Sequence, residues 1–210
     1  MPGWLDDAAF HLFSTPVTWT EVIADLTGLL CVWWVARQVI WNWPAGLANN
    51  VFFLLLFTDA KLYGDAALQV VFFVLGVYGW VQWRNRRARV ELPVRVTTAA
   101  EWRWLGVAAG LGWAACYLWL DRVTDSPVPF WDSLVLILSL VATYGQTKKL
   151  VESWWVWIAV DLISIPLYVS RDLVPTAGLY VVFLVLCVIG LRDWQRSLRP
   201  ASPPVAAVAT

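Results

Sequence analysis

The chain has one histidine, one methionine and three cysteines among 210 residues, and charged side chains make up only 14% of it. His11 alone cannot build a metal site or a histidine acid–base pair. Cys31, Cys116 and Cys187 stand more than seventy residues apart, without metal-ligand spacing or a disulfide framework, and read as small apolar fillers. No G-x-x-x-x-G-K-[ST] sequence occurs, which excludes ATP hydrolysis by this chain. Fifteen basic and fifteen acidic residues cancel, so the electrostatic footprint of a nucleic-acid binder is absent and no nucleic-acid partner is expected. The N-terminus lacks a basic n-region and places Asp6 and Asp7 before Phe10, Leu12 and Phe13. That pattern predicts a short surface helix rather than a cleavable signal peptide. Neither a metal nor an organic cofactor is expected.

What the chain does contain is apolar surface. Sixty per cent of the residues are hydrophobic, 17 are tryptophan and the mean hydropathy is +0.64, far from a water-soluble domain. A helix needs roughly 20 apolar residues to cross the hydrocarbon core. Seven such stretches are present, near 19–36, 44–60, 66–83, 103–120, 131–147, 154–170 and 174–192. They leave short connections, a basic loop and a proline- and alanine-rich tail, 197–210, expected to be disordered.

The basic residues divide unequally across this layout. Arg37, Arg84, Arg86, Arg87, Arg89, Arg95, Arg103, Lys148, Lys149, Arg192, Arg196 and Arg199 fall on one side, against Lys61, Arg122 and Arg171 on the other. Twelve against three predicts an outside N-terminus and a cytoplasmic C-terminus, with the Arg84–Arg95 run as a topology anchor. Trp41, Trp43, Trp80, Trp83, Trp102, Trp104, Trp154, Trp155 and Trp194 all fall at the basic ends of the spans, where most are expected to form an interfacial belt.

The chain also matches itself at a constant offset of 111 residues. Trp43 falls on Trp154, Phe72 on Phe183, Gly79 on Gly190 and Trp83 on Trp194, while Glu21 meets Asp132 and Arg37 meets Lys148. Paired Trp, Gly and Phe at one shift point to a duplicated three-helix unit. The predicted fold is an all-α integral membrane protein of seven helices in a 3+1+3 order. A single linker helix between the units gives both the same orientation, as in SWEET-like carriers with parallel repeats and a midplane site. Residues 1–210 then form one membrane domain: 19–83 the first unit, 84–130 the basic loop and linker helix, and 131–194 the second unit.

On the sixth span, Trp154, Trp157, Asp161, Ser164 and Tyr168 recur at intervals of three and four and share one face. A carboxylate two turns inside a span costs about 2.5–3.5 kcal/mol on insertion scales, so Asp161 is expected to face the bundle interior or a wet cavity. Its repeat-mate is Asn50. Asn49 lies about 100° further round the helix, so only one of the two is expected to point straight into the same cavity. Gln69 and Gln146 are the remaining candidate amides. Amides and a carboxylate suit a hydroxyl- or amide-bearing ligand, and indole faces suit a flat or cationic ring. Pro166 inside the sixth span permits a kink or hinge, Glu21 and Asp25 are a weaker candidate for proton coupling, and Gly106 with Gly110 suits close helix contact.

The sequence resembles the PnuC-type vitamin transporters, best known for carrying nicotinamide riboside. The likeness spans about residues 19–195. It rests on Trp43-Pro44-x-Gly46, Leu62-Tyr63-Gly64-Asp65-x-x-Leu68-Gln69-x-x-Phe72, Tyr78-Gly79-Trp80-x-x-Trp83, Glu152-x-Trp154-x-x-Trp157-Ile158-x-Val160-Asp161, Leu167-Tyr168 and Leu179-Tyr180-x-x-Phe183. The resemblance implies a homotrimer in a bacterial inner membrane and facilitated diffusion of a vitamin, trapped by phosphorylation inside the cell. It also implies that Gln69, Gln146, Trp154, Trp157, Asp161 and Tyr168 lie on or near the substrate path. Nicotinamide riboside is the expected substrate, with riboflavin, thiamine or another nucleoside as alternatives. A sugar carrier, a membrane scaffold and an intramembrane enzyme are the more distant readings; the enzyme is disfavoured because no nucleophile–base pair is evident.

Overall fold

The computed structural model describes residues 8–12, 15–59, 63–84, 92–124 and 127–198. Seven helices follow in order: α1 (Trp19–Ala36), α2 (Asn42–Asp59), α3 (Tyr63–Arg84), α4 (Ala99–Val123), α5 (Pro129–Thr147), α6 (Ser153–Ser170) and α7 (Val174–Leu198). Each coincides with one predicted span. Among the described residues, Ala66–Arg84, Ser153–Ser170 and Val174–Leu198 are long and apolar enough to cross a membrane. The loop at 85–91 and nearly all of the proposed tail lie outside the described residues.

The N-terminus departs from expectation. Instead of a surface helix, Ala8–Leu12 (β1) and Thr15–Thr18 (β2) pair as an antiparallel hairpin, with Phe10 opposite Val17 and Leu12 opposite Thr15. Thr15, Val17 and Thr18 are β-branched, and Pro16 has no N–H to donate to a helix. Phe10 and Leu12 alternate with the period of a strand.

The helices interlock across the two halves of the chain. Helix α2 packs on α3 and α1, and α6 packs on α7 and α5, while α1 also packs on α7 and α3 on α5. Helix α4 packs against α5 and buries no residue. At the end of the bundle that carries the 37–41 and 148–152 turns, contacts recur 111 residues apart. The Trp43 ring meets Trp83 edge-on at 5.4 Å and 85°, and Trp154 meets Trp194 at 5.5 Å and 90°. A Cβ on Gly79 would fall on the Trp43 ring and one on Gly190 on the Trp154 ring, so both sites require glycine for close approach. Trp83 Nε1 donates to the Gln146 carbonyl at 3.1 Å, and Trp194 Nε1 to the Val35 carbonyl at 3.2 Å. Each bond runs from the third helix of one half to the first helix of the other.

Helices α1 and α5 also end alike. Gln38 and Lys149 sit at positive φ of 58° and 51°. Around them, Val39 N–H bonds the Trp34 carbonyl and Leu150 N–H the Gly145 carbonyl, the wrap that closes a helix with a left-handed residue. Lys149 Nζ donates to Gln38 Oε1 at 2.9 Å and lies 4.5 Å over the Trp83 ring, joining the two turns.

These contacts correct the expectation of a tryptophan belt. Trp43, Trp83, Trp154 and Trp194 are buried and form the core with Val35, Ala36, Val151, Cys187 and Leu191, and Trp80 packs against that cluster. Trp41, Trp102, Trp104 and Trp155 are exposed, as a belt requires. Both kinds sit near helix ends, and hydropathy alone cannot separate them; the glycine facing Trp43 or Trp154 makes the difference.

The segment before α4 is tied to the second half. Arg95 exchanges backbone hydrogen bonds with Lys149 and Val151, and the Glu152 carboxylate accepts from Thr97 N–H at 3.0 Å and from the Thr97 hydroxyl at 2.7 Å. Thr98 and Glu101 form a capping box that starts α4, and Arg95 Nη1 donates to Glu101 Oε2 at 2.8 Å. Led by that Arg95 bond, with Thr98 second, these contacts hold the Glu101 carboxyl down at about 2.

Candidate functional site

Above the indole cluster the helices part around a cavity of about 390 Å³. Its wall is drawn from α1, α2, α3, α5, α6 and α7. Trp43 and Trp154 form the floor, both almost wholly buried. Apolar wall is supplied by Val32, Leu47, Phe53, Phe72 and Phe183, and polar groups by Asn42, Asn49, Asn50, Gln69, Thr143, Gln146, Asp161 and Tyr180. A concave, largely apolar chamber with a few convergent polar groups is the usual form of a small-molecule site.

Six of the seven residues singled out from the sequence lie around this chamber: Asn50, Gln69, Gln146, Trp154, Trp157 and Asp161. Tyr168 does not. Its ring leans on Tyr180 at 5.0 Å, and Tyr180 is the residue that reaches the wall. Asn49 and Asn50 both border the chamber, against the expectation that only one would, because the opening is wider than the arc between adjacent helical positions. The sequence reading left out Gly28, Thr143, Phe183 and Cys187. Phe183 carried a signal as the repeat-mate of Phe72, whereas Cys187 carried none.

The α6 stripe is unusual in its polar accounting. Trp154 Nε1, Trp157 Nε1, Asp161 Oδ2 and Ser164 Oγ are all buried and have no hydrogen-bond partner among the described residues. Native interiors rarely leave such groups unmatched, and four along one helical face call for water or a ligand. Asp161 is 2% exposed. No cationic side chain among the described residues pairs with it. An unpaired acid one turn beyond Trp157 offers a negative charge next to an indole. Trp154 has one face against Gly190 and its edge against Trp194, so of the two indoles Trp157, only partly buried, has the freer ring.

Residues 18–196 match the nicotinamide mononucleotide transporter family. The chain belongs to that family. This transporter is 30% identical over 207 residues to the riboflavin/roseoflavin transporter RibM of Streptomyces davaonensis, covering 97% of each chain. It is 27% identical over 215 residues to the nicotinamide riboside transporter PnuC of Escherichia coli, covering 87% of each. Its fold matches the crystal structure of the vitamin B3 transporter PnuC with a TM-score of 0.69 and 25% identity, over 86% of this chain and 82% of that one. The chain is therefore a seven-helix membrane transporter of a vitamin-type solute and not an enzyme. The scaffold and enzyme readings fall with that.

Proposed function

We propose that this transporter carries nicotinamide riboside by facilitated diffusion through the chamber between α2 and α6. The carrying observation is the buried, unpaired carboxylate of Asp161 beside the partly buried Trp157. Nicotinamide riboside has a permanently cationic, flat ring and a hydroxyl-bearing sugar. Its pyridinium gains from an indole face and from a nearby carboxylate, and its hydroxyls and amide suit Asn50, Gln69 and Gln146. Tyr168 acts through Tyr180. Phosphorylation inside the cell then traps the vitamin and keeps the gradient inward.

The two three-helix units, 19–83 and 131–194, are read as parallel repeats that rock about the central site, with α4 as the linker. The recurrence of contacts 111 residues apart supports this. The excess of Lys and Arg on one side supports an outside N-terminus and a cytoplasmic C-terminus. The homotrimer is the state that the family resemblance implies, and the α4 face, where a Cβ at Gly106 or Gly110 would meet no atom within 4 Å, is open to a neighbouring copy.

Riboflavin is the second reading, favoured by the similarity to RibM over nearly the whole of both chains. Its ring is uncharged, so it has less use for an unpaired carboxylate. Uptake of labelled nicotinamide riboside, riboflavin and thiamine into proteoliposomes containing only this protein separates the readings. Nicotinamide riboside is expected to equilibrate without an ion gradient. Uptake of none of the three would contradict the proposal, and gradient-driven accumulation would remove its passive part.

A further inference from the structure

We propose that Gly46 sets the width of the slot that receives the ring of the vitamin; this rests on the functional reading above. Trp43 and Trp154 lie at matching levels, each over a glycine of the helix packed beside it. One turn further along, α6 carries Trp157, whereas α2 carries Gly46, its partner at the 111-residue offset, and both border the chamber. A Cβ at Gly46 would meet no atom within 4 Å. The two α3 glycines near it behave differently: a Cβ at Gly76 would come within 2.9 Å of Leu47 Cδ2, and one at Gly79 would strike Trp43.

No packing contact therefore requires glycine at 46, yet glycine costs a helix about 1 kcal/mol relative to alanine. What the missing side chain leaves is space in the chamber, whose wall also carries Trp157 and Asp161. A flat ring stacked on Trp157 needs a clear layer of about 3.5–4 Å on its other face, and the bare α2 backbone at Gly46 provides it. Larger residues at 46 should exclude wide rings first and every ring eventually.

The test is a binding titration on the purified full chain with nicotinamide riboside and riboflavin, carried into the variants with whichever vitamin the wild type binds. Gly46→Ala, Gly46→Val and Gly46→Phe are compared with Gly178→Phe, an exposed α7 position off the chamber with equally open surroundings. Affinity is expected to fall in step with side-chain size, reaching about 10- to 100-fold for Gly46→Phe by the cost of overfilling a site, while Gly178→Phe binds as the wild type does. Thermal unfolding identifies the folded variants, and if Gly46→Phe does not fold, the alanine and valine steps carry the comparison. Folded Gly46 variants with wild-type affinity overturn the slot. A wild type that binds neither vitamin overturns the functional reading and the slot with it.

Discussion

The two three-helix halves agree where they pack and differ where they face the chamber. At the packed end, Trp43 and Trp154, Trp83 and Trp194, Gly79 and Gly190, and the left-handed residues Gln38 and Lys149 occupy matching environments. Around the chamber Phe72 and Phe183 still match, but four pairs diverge: Asn50 against Asp161, Gly46 against Trp157, Gln69 against Tyr180, Gly76 against Cys187. Packing imposes the same steric problem on both halves and returns the same residues. A vitamin has no twofold symmetry, so a site shared by both halves must be lopsided to recognise it. Charge and ring both sit on α6, and space and amides on α2.

Five substitutions probe that contrast. If the packed ends are equivalent, Trp83→Ala and Trp194→Ala should each lose about 3–5 kcal/mol of stability, as buried tryptophans do, and by similar amounts. A large difference in their thermal unfolding would break the equivalence. Gly79→Ala and Gly190→Ala should each cost about 1–3 kcal/mol, since the added methyl collides with an indole held in the core. The same pair should leave vitamin affinity largely intact in protein that still folds, because the strain falls below the chamber. Asn50→Ala should weaken binding by about 3- to 10-fold, the worth of one neutral hydrogen bond, with little effect on the melting temperature.

The smallest effect lies outside the chamber. Glu101 is held at about 2 against an ordinary 4.5, first by the Arg95 bond and then by Thr98. A carboxyl lowered on folding stabilises above its unfolded value and loses that contribution as pH falls from about 4.5 through about 2. The pair is substantially exposed, with side-chain accessibilities of 37% and 31%, so solvent screening keeps the effect slight. Glu101→Gln should therefore flatten stability between those pH values, read by unfolding midpoints across the range, without altering transport.

The helices were legible in the sequence because a membrane span is a long, continuous signal. Trp19–Ala36 and Ser153–Ser170 fall within a residue of their expected limits. The 111-residue offset was legible because Trp and Gly are rare enough to align without ambiguity. Asp161 could be placed because lipid rejects an unpaired carboxylate. The N-terminal hairpin escaped because two strands of five and four residues, only the second of them β-branched, carry less signal than an apparent amphipathic run. The burial of Trp43 and Trp154 escaped because the glycines that receive their rings lie 36 residues away in each half, on α3 and α7. Cys187 on the chamber wall escaped for a similar reason: nothing local marks a residue that a neighbouring helix brings to the same wall as Asp161.

The central claim is that the Asp161 carboxylate is kept unpaired in order to meet a cationic vitamin. It is tested most directly by measuring nicotinamide riboside binding and thermal stability together in the wild type and in Asp161→Asn. The account predicts affinity lower by about 10- to 100-fold, the range of a hydrogen bond to a charged group, with stability unchanged or raised because a buried uncompensated charge has been removed. Wild-type affinity in a well-folded Asp161→Asn protein would contradict it.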